Sequence, residues 1–250
     1  MQNLKTIFIL LLISFFSFKA FAKDSDTLLI STGEWPPYVS EHMEKKGMAS
    51  EIVAEVFKHM QKPISIEFFY WPKSYNNAVT GYAIGSYVYY YTEKRAKNLL
   101  YSDPLFEAKE VFFYRKSQQS ILPKFKKLSD LIDYKIAGVR GFYYKGLFKE
   151  AGLNVSYSST EMQALQMVAD GKADLIAMNE IVGWNLIKKL YPEEINDFAV
   201  IDKVVHVKPT FFVFSKKNEK SKELLAKFNE SLSILKHKGT IDKIISSYDL

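Results

Sequence analysis

Apolar and polar positions follow two periods along this chain, and the switches between them mark out strands and helices in alternation. Residues 27–31 form a short apolar run that ends before Gly33 and reads as a strand. Ile52, Val53, Val56, Phe57 and Met60 recur at helical spacing and predict a helix over residues 49–60. Residues 64–70 alternate as a strand, and a helix over 74–80 is stopped by Gly81. Further on, strands are predicted at 110–115, 135–139, 173–178 and 209–215. Helices are predicted at 128–132, 161–169, 180–190 (ended by Pro192), 221–236 and 240–248. Repeated strand–helix alternation argues an α/β architecture with mainly parallel sheets. The chain carries no internal repeat and no low-complexity linker.

The first 22 residues stand apart. Lys5 supplies a positive end, Ile7 to Phe18 is unbroken apolar or small, and Ala20-Phe21-Ala22 has the small-x-small form of a signal-peptidase site. That is the anatomy of a secretory signal peptide, with cleavage before Lys23. A signal anchor is the competing reading, although the run is shorter than the ~20 residues a spanning helix needs. The expectation is an exported, soluble protein of the periplasm. Composition agrees: with no cysteine there is neither a disulfide framework nor a thiolate metal site, and no lipoprotein Cys follows the leader. The net charge of +6 comes from lysines scattered along the chain without a basic stripe, which excludes nucleic acid as a partner.

Candidate chemistry lies in four places. Gly33-Glu34-Trp35-Pro36-Pro37-Tyr38 follows the first strand, so Trp35 and Tyr38 stand beyond a carboxyl end, where open α/β sheets bind ligands. The alternative is a rigid surface turn with one ring packed beneath it. The second place is Tyr87-Val88-Tyr89-Tyr90-Tyr91-Thr92-Glu93-Lys94-Arg95, followed by Tyr101-Ser102-Asp103-Pro104. Thr92 is a good N-cap and puts Arg95 in a first helical turn, where its fork can meet a carboxylate; most such arginines are surface residues. The odd-numbered tyrosines 87, 89 and 91 share one face of an extended segment, as core packing or as a wall for stacking.

These motifs, in this order, resemble the bacterial extracellular solute-binding proteins of family 3, the receptors of polar amino-acid ABC transporters. The likeness continues through Val111-Phe112-Phe113-Tyr114, Gly138-Val139-Arg140-Gly141, Asp170-Gly171-Lys172-Ala173-Asp174 and Lys238-Gly239-Thr240, and so spans the mature chain. The resemblance implies a type II periplasmic-binding fold of two α/β lobes joined by two crossovers, with the ligand between them. Residues 24–110 and 212–250 are then the first lobe and 111–211 the second. It implies a monomer without cofactor that captures a small polar, amino-acid-like solute by hinge closure and passes it to an inner-membrane permease. Carried over from the family, Arg95 clamps the ligand carboxylate, Trp35 packs on the ligand, and Val88 and Tyr90 supply hydrogen bonds.

The second lobe supplies the other two places, and both depart from the family pattern. Where members place Ser or Thr after the glycine, this chain has Gly141-Phe142-Tyr143-Tyr144. Where a strand-terminal Asp pairs with the α-ammonium, it has Asn179, followed by Glu180. Either Glu180 replaces the Asp or the ligand lacks an ammonium. Trp71 adds an aromatic that faces the cleft or packs in the core. His42, His59, His206 and His237 lack ligand spacing, so no metal site is expected. Two rivals share the fold: a dehydratase-like enzyme using Glu180 as general acid, and a sensory receptor for the same kind of solute.

Overall fold

A computed structural model describes residues 27–118, 124–140, 142 and 144–248. The predicted leader lies outside the described residues, as do Gly141 and Tyr143.

In chain order the elements are β1 (Leu28–Thr32), α1 (Met48–His59), β2 (Ile64–Phe68), α2 (Trp71–Thr80), β3 (Gly85–Tyr89), α3 (Glu93–Ala96) and β4 (Leu99–Arg115). They continue with β5 (Lys135–Val139), α4 (Lys145–Glu150), β6 (Asn154–Ser158), α5 (Glu161–Ala169), β7 (Leu175–Asn179), α6 (Glu180–Leu190), β8 (Phe198–Val200), β9 (His206–Ser215), α7 (Ser221–His237) and α8 (Thr240–Ser246). Residues 128–131, expected as a short helix, form a single 3-10 turn.

The strands join in the order β2-β1-β3-β9-β4-β7-β5-β6, with β8 on β4. The pairs β1–β2, β1–β3, β5–β6 and β5–β7 are parallel, as the strand–helix alternation predicts. The centre is antiparallel, because β4 and β9 run past each other and carry the chain from one wing to the other and back. A sheet with two such crossovers is therefore mixed. The two wings are the two lobes, each parallel at its outer edge.

Each wing has its own core. Between the first wing and α1, α7 and α8 lie Ile30, Val53, Phe57, Phe212, Phe214 and Phe228. In the second, β4 splits its side chains by parity, Val111 and Phe113 packing with Leu165 and Ile176, Phe112 and Tyr114 with Ile136 and Phe148. A strand buried on both faces reads as an unbroken apolar run, which is why Val111-Phe112-Phe113-Tyr114 shows no alternation. Gly183 lets α6 lie directly on β4: a Cβ there would stand 2.3 Å from the Phe113 ring.

β4 begins eleven residues earlier than the strand predicted at 110–115. Its register shifts between Tyr101 and Pro104 and again between Pro104 and Phe106, so the proline, which has no N–H to donate, sits in a bulge. Ser102 repairs the ladder there: its Oγ accepts the Phe212 N–H at 3.1 Å.

Candidate ligand-binding site

β1 ends at the turn that carries Trp35 and Tyr38. Backbone bonds in both directions between Trp35 and Val39, 2.8 and 3.0 Å, close a tight loop around Pro36 and Pro37. The Pro36–Pro37 bond is cis. Trp71 packs beneath this loop. Its Nε1–H donates to the Glu34 carbonyl at 3.1 Å, and its ring occupies the space where a Cβ on Gly33 would stand, 2.7 Å away. Its ring also meets Tyr89 edge-on at 5.7 Å. Trp71 thus shapes the loop from behind.

Tyr38 is buried and reaches across to the second lobe. Its ring stacks on Phe106 at 5.0 Å, and its hydroxyl donates to Asn179 Oδ1 at 3.2 Å. Burial holds its phenol well above the ordinary range. Asn179 ends β7 and caps α6, its Oδ1 also accepting from the Ile181 and Val182 N–H groups, both at 3.1 Å. Those donors fix which way the amide faces, so Nδ2 points away from the helix, buried and without a partner. Tyr38→Phe removes one of three bonds at Asn179 Oδ1 and should cost about 1 kcal/mol of the inter-lobe contact. Without ligand, solution scattering should then find a larger radius of gyration than in the wild type.

β3 departs from the expected stripe. Val88 is an extra residue between the Tyr87–Phe212 and Tyr89–Phe211 pairs and has φ 61°. A β-branched residue in the left-handed region is strained, and such strain gathers at ligand sites. The bulge also sends Tyr87 into the first-lobe core and Tyr89 toward Ala78 and Val213, on different sides of the sheet. The three tyrosines therefore do not share a face. Tyr87 is fully buried, which pushes its phenol up to about 12, and Tyr91 is exposed.

Tyr90 and Arg95 are held together at the end of β3. Thr92 caps α3 by accepting the Arg95 N–H at 3.2 Å, as the sequence predicts. The guanidinium donates through Nη1 to the Tyr90 carbonyl at 2.9 Å and lies 5.1 Å over the Tyr89 ring. The Tyr90 ring meets the edge of Trp35 at 6.4 Å and takes the Lys208 ammonium at 5.5 Å on its face. Trp35, Tyr90, Arg95 and Lys208 thus form one aromatic and cationic cluster.

Beside Tyr90 and Lys208 stands a residue that the sequence reading passes over. Glu110, on β4, is 3 % exposed, and its Oε2 has no hydrogen-bond partner. Desolvation pushes the carboxyl up to about 8; Glu161 adds to the rise, while Lys208 and the Tyr90 phenol oppose it. Glu161, the first residue of α5, is itself pushed up to about 7 by desolvation. Lys208 is lowered by its own desolvation and by Arg95. The sequence signal was present: a carboxylate directly before a buried apolar run has to find a partner or lose its charge.

In the second lobe, Tyr144 is buried and stacks on Phe148 at 4.7 Å, its hydroxyl accepting the Val139 N–H at 2.9 Å. Phe142 packs against Tyr144 at 5.5 Å. Glu180 lines a groove of about 700 Å³ with Pro37, Lys109, Ile181, Trp184 and Lys188, and neither Arg95 nor Tyr90 belongs to its lining. Among the described residues no cluster of His, Asp or Glu is arranged to hold a metal ion, and no helix is long and apolar enough to cross a membrane.

A family model, bacterial extracellular solute-binding proteins, family 3, matches residues 28–249. A histidine kinase sensor domain similar to periplasmic binding proteins superposes with TM-score 0.71 at 19% identity, covering 88% of this chain and 95% of its own. A mutant of ArgBP from T. maritima gives 0.69 at 22%, with 90% and 96% covered. An ancestral amino acid-binding protein, precursor of cyclohexadienyl dehydratase, gives 0.67 at 23%, with 89% and 94% covered. No curated protein matches the chain.

Proposed function

The chain belongs to the bacterial extracellular solute-binding proteins of family 3, and on that premise we propose that it captures an amino-acid-like zwitterion between its lobes and delivers it to an ABC permease. We place the first lobe at 24–110 and 212–250 and the second at 111–211, with export to the periplasm after cleavage at Ala22.

One observation supports this reading above the others: opposite charges gather around the Tyr90 ring. Arg95 and Lys208 offer cations beside Tyr90, while Glu110 and Glu161 offer carboxyls. A zwitterion satisfies both, and Arg95 can hold a carboxylate by two parallel bonds. Trp35, Tyr38, Val88, Tyr90, Asn179 and the Phe142 segment complete the proposed site, and Trp71 supports it from behind. We read a binding protein in preference to an enzyme on the strength of the family match.

A thermal-shift screen of amino acids, amines and small carboxylates tests the reading. At a hundredfold excess over Kd the right solute adds about 2.7 kcal/mol, which for a chain of this size raises Tm by roughly 5–10 °C. Scattering should show a smaller radius of gyration with that solute bound, as hinge closure requires. A hit that stabilises the protein without compaction would sink the closure mechanism. Conversion of the hit to a new product, seen by NMR, would make the protein an enzyme.

A further inference from the structure

We propose that Glu110, at the hinge end of the first crossover, is the carboxylate that receives the ligand's ammonium, in place of the acidic residue that Asn179 replaces. The proposal rests on the solute-binding reading above and names the residue that sets its specificity.

Register carries the argument. β4 and β7 pair antiparallel with Glu110 directly opposite Asn179, so the two side chains leave the sheet on the same face. Asn179 spends its oxygen on the α6 N–H groups and on Tyr38 and leaves a buried Nδ2 donor unpartnered. One strand away, Glu110 leaves a buried Oε2 acceptor unpartnered. Buried polar atoms without partners are rare in native folds and call for an explanation. A donor and an acceptor orphaned on one face of neighbouring strands, beside Tyr90, are explained by a ligand that supplies the complements. An ammonium suits Oε2 and a carbonyl or hydroxyl suits Nδ2. The acidic group has moved one ladder step, from the end of β7 to β4.

The same position controls the protonation state. Glu110 faces Tyr90 from the end of β3, Lys208 and His206 from β9, Asn179 from β7, Glu161 from α5, Tyr144 from the loop before α4, and Tyr38 from the loop after β1. Lys208 favours its charged form, while Glu161 and burial oppose it, and without ligand the neutral acid prevails below about pH 8. An arriving ammonium reverses that balance, so binding a cation expels the proton to solvent. Affinity for an ammonium ligand therefore rises with pH, by close to tenfold per unit, until the carboxyl is ionised near pH 8. A ligand carboxylate held by the neutral acid would show the opposite slope.

The experiment compares the mature wild type with Glu110→Gln. The probes are the twenty L-amino acids, putrescine and agmatine as amines without carboxylate, and succinate and 2-oxoglutarate as carboxylates without amine. Thermal shift selects the binders, and calorimetry follows at pH 6, 7 and 8. The expected result is that an amino acid binds best and Glu110→Gln weakens it roughly 10- to 100-fold, as loss of a charged hydrogen bond does. The wild-type pH slope should fall in the variant to the shallower slope that Glu161 alone contributes. Gln is isosteric with the neutral acid, so the variant should fold, and it should be more stable than the wild type at pH 8, where Glu110 must ionise against burial. Equal affinity and equal pH slope in the two proteins overturns the role of Glu110 and leaves the solute-binding reading standing. Binding by the amine-free carboxylates alone, or by no probe, overturns both.

Discussion

Phe212→Ala should lower the stability of this protein by about 3–5 kcal/mol, the cost of emptying a fully buried aromatic site. Phe212 lies on β9 at the centre of the first lobe. Its ring sits 4.5 Å from Phe214, 5.1 Å from Phe228 and 5.5 Å from Phe57, with Tyr87 stacked at 6.4 Å. These rings come from β3, β9, α1 and α7, so the cluster ties the sheet to both covering helices. The site has little room to collapse, because β3 packs close on it: a Cβ on Gly85 would meet the Val213 carbonyl at 2.3 Å and the Phe212 ring at 2.5 Å. The expected drop in Tm is roughly 6–20 °C, and Phe212→Leu, which refills most of the volume, should recover more than half of it. A drop below about 2 °C in Phe212→Ala would mean that the lobe draws its stability from elsewhere.

The elements that could be read from the sequence are those whose burial is one-sided. α1, α5, α6 and α7 present one apolar stripe each and were placed to within a residue or so. β4 was cut short because Tyr101-Ser102-Asp103-Pro104 carries every local mark of a turn. In the structure it is a strand whose ladder is mended at the bulge by Ser102 Oγ, a non-local bond that no local signal announces. α4, β6 and β8 were missed for a related reason: Lys145–Glu150 shows one buried residue, and Asn154–Ser158 forms an edge strand with none. At the candidate site, Thr92 and Arg95 were legible because a cap and its helix are neighbours in sequence. The tyrosine stripe misled because period two fails at Val88, where the chain enters the left-handed region. Glu110 was hidden in plain view. Counted as the start of a strand, it meets Lys208 and Glu161 only through pairings some 50 to 100 residues apart in sequence.

Arg95→Lys separates the proposed ligand clamp from its scaffold. One arm of the guanidinium is committed to the Tyr90 carbonyl, 2.9 Å away, and its plane rests against Tyr89. The fork is thereby held still, and in the proposed site its remaining N–H groups would meet a carboxylate at fixed angles. Lysine keeps the charge but is a compact point donor on a flexible stem, so it can serve the Tyr90 carbonyl or the ligand, not both with the same geometry. Affinity for the best zwitterion of the screen should fall roughly 10- to 100-fold, the range for a lost charge-assisted hydrogen bond. Arg95→Ala, which also removes the charge, should fall further. Folding should hardly change: Arg95 is half-exposed, and the Thr92 cap uses its backbone N–H, which every substitution except proline retains. Calorimetry of the two variants beside their ligand-free melting curves checks both halves. If Arg95→Lys binds like the wild type, then Arg95 serves only to hold the Tyr90 carbonyl, and the carboxylate must be met by Lys208. A double variant at 95 and 208 would then lose binding where neither single one does.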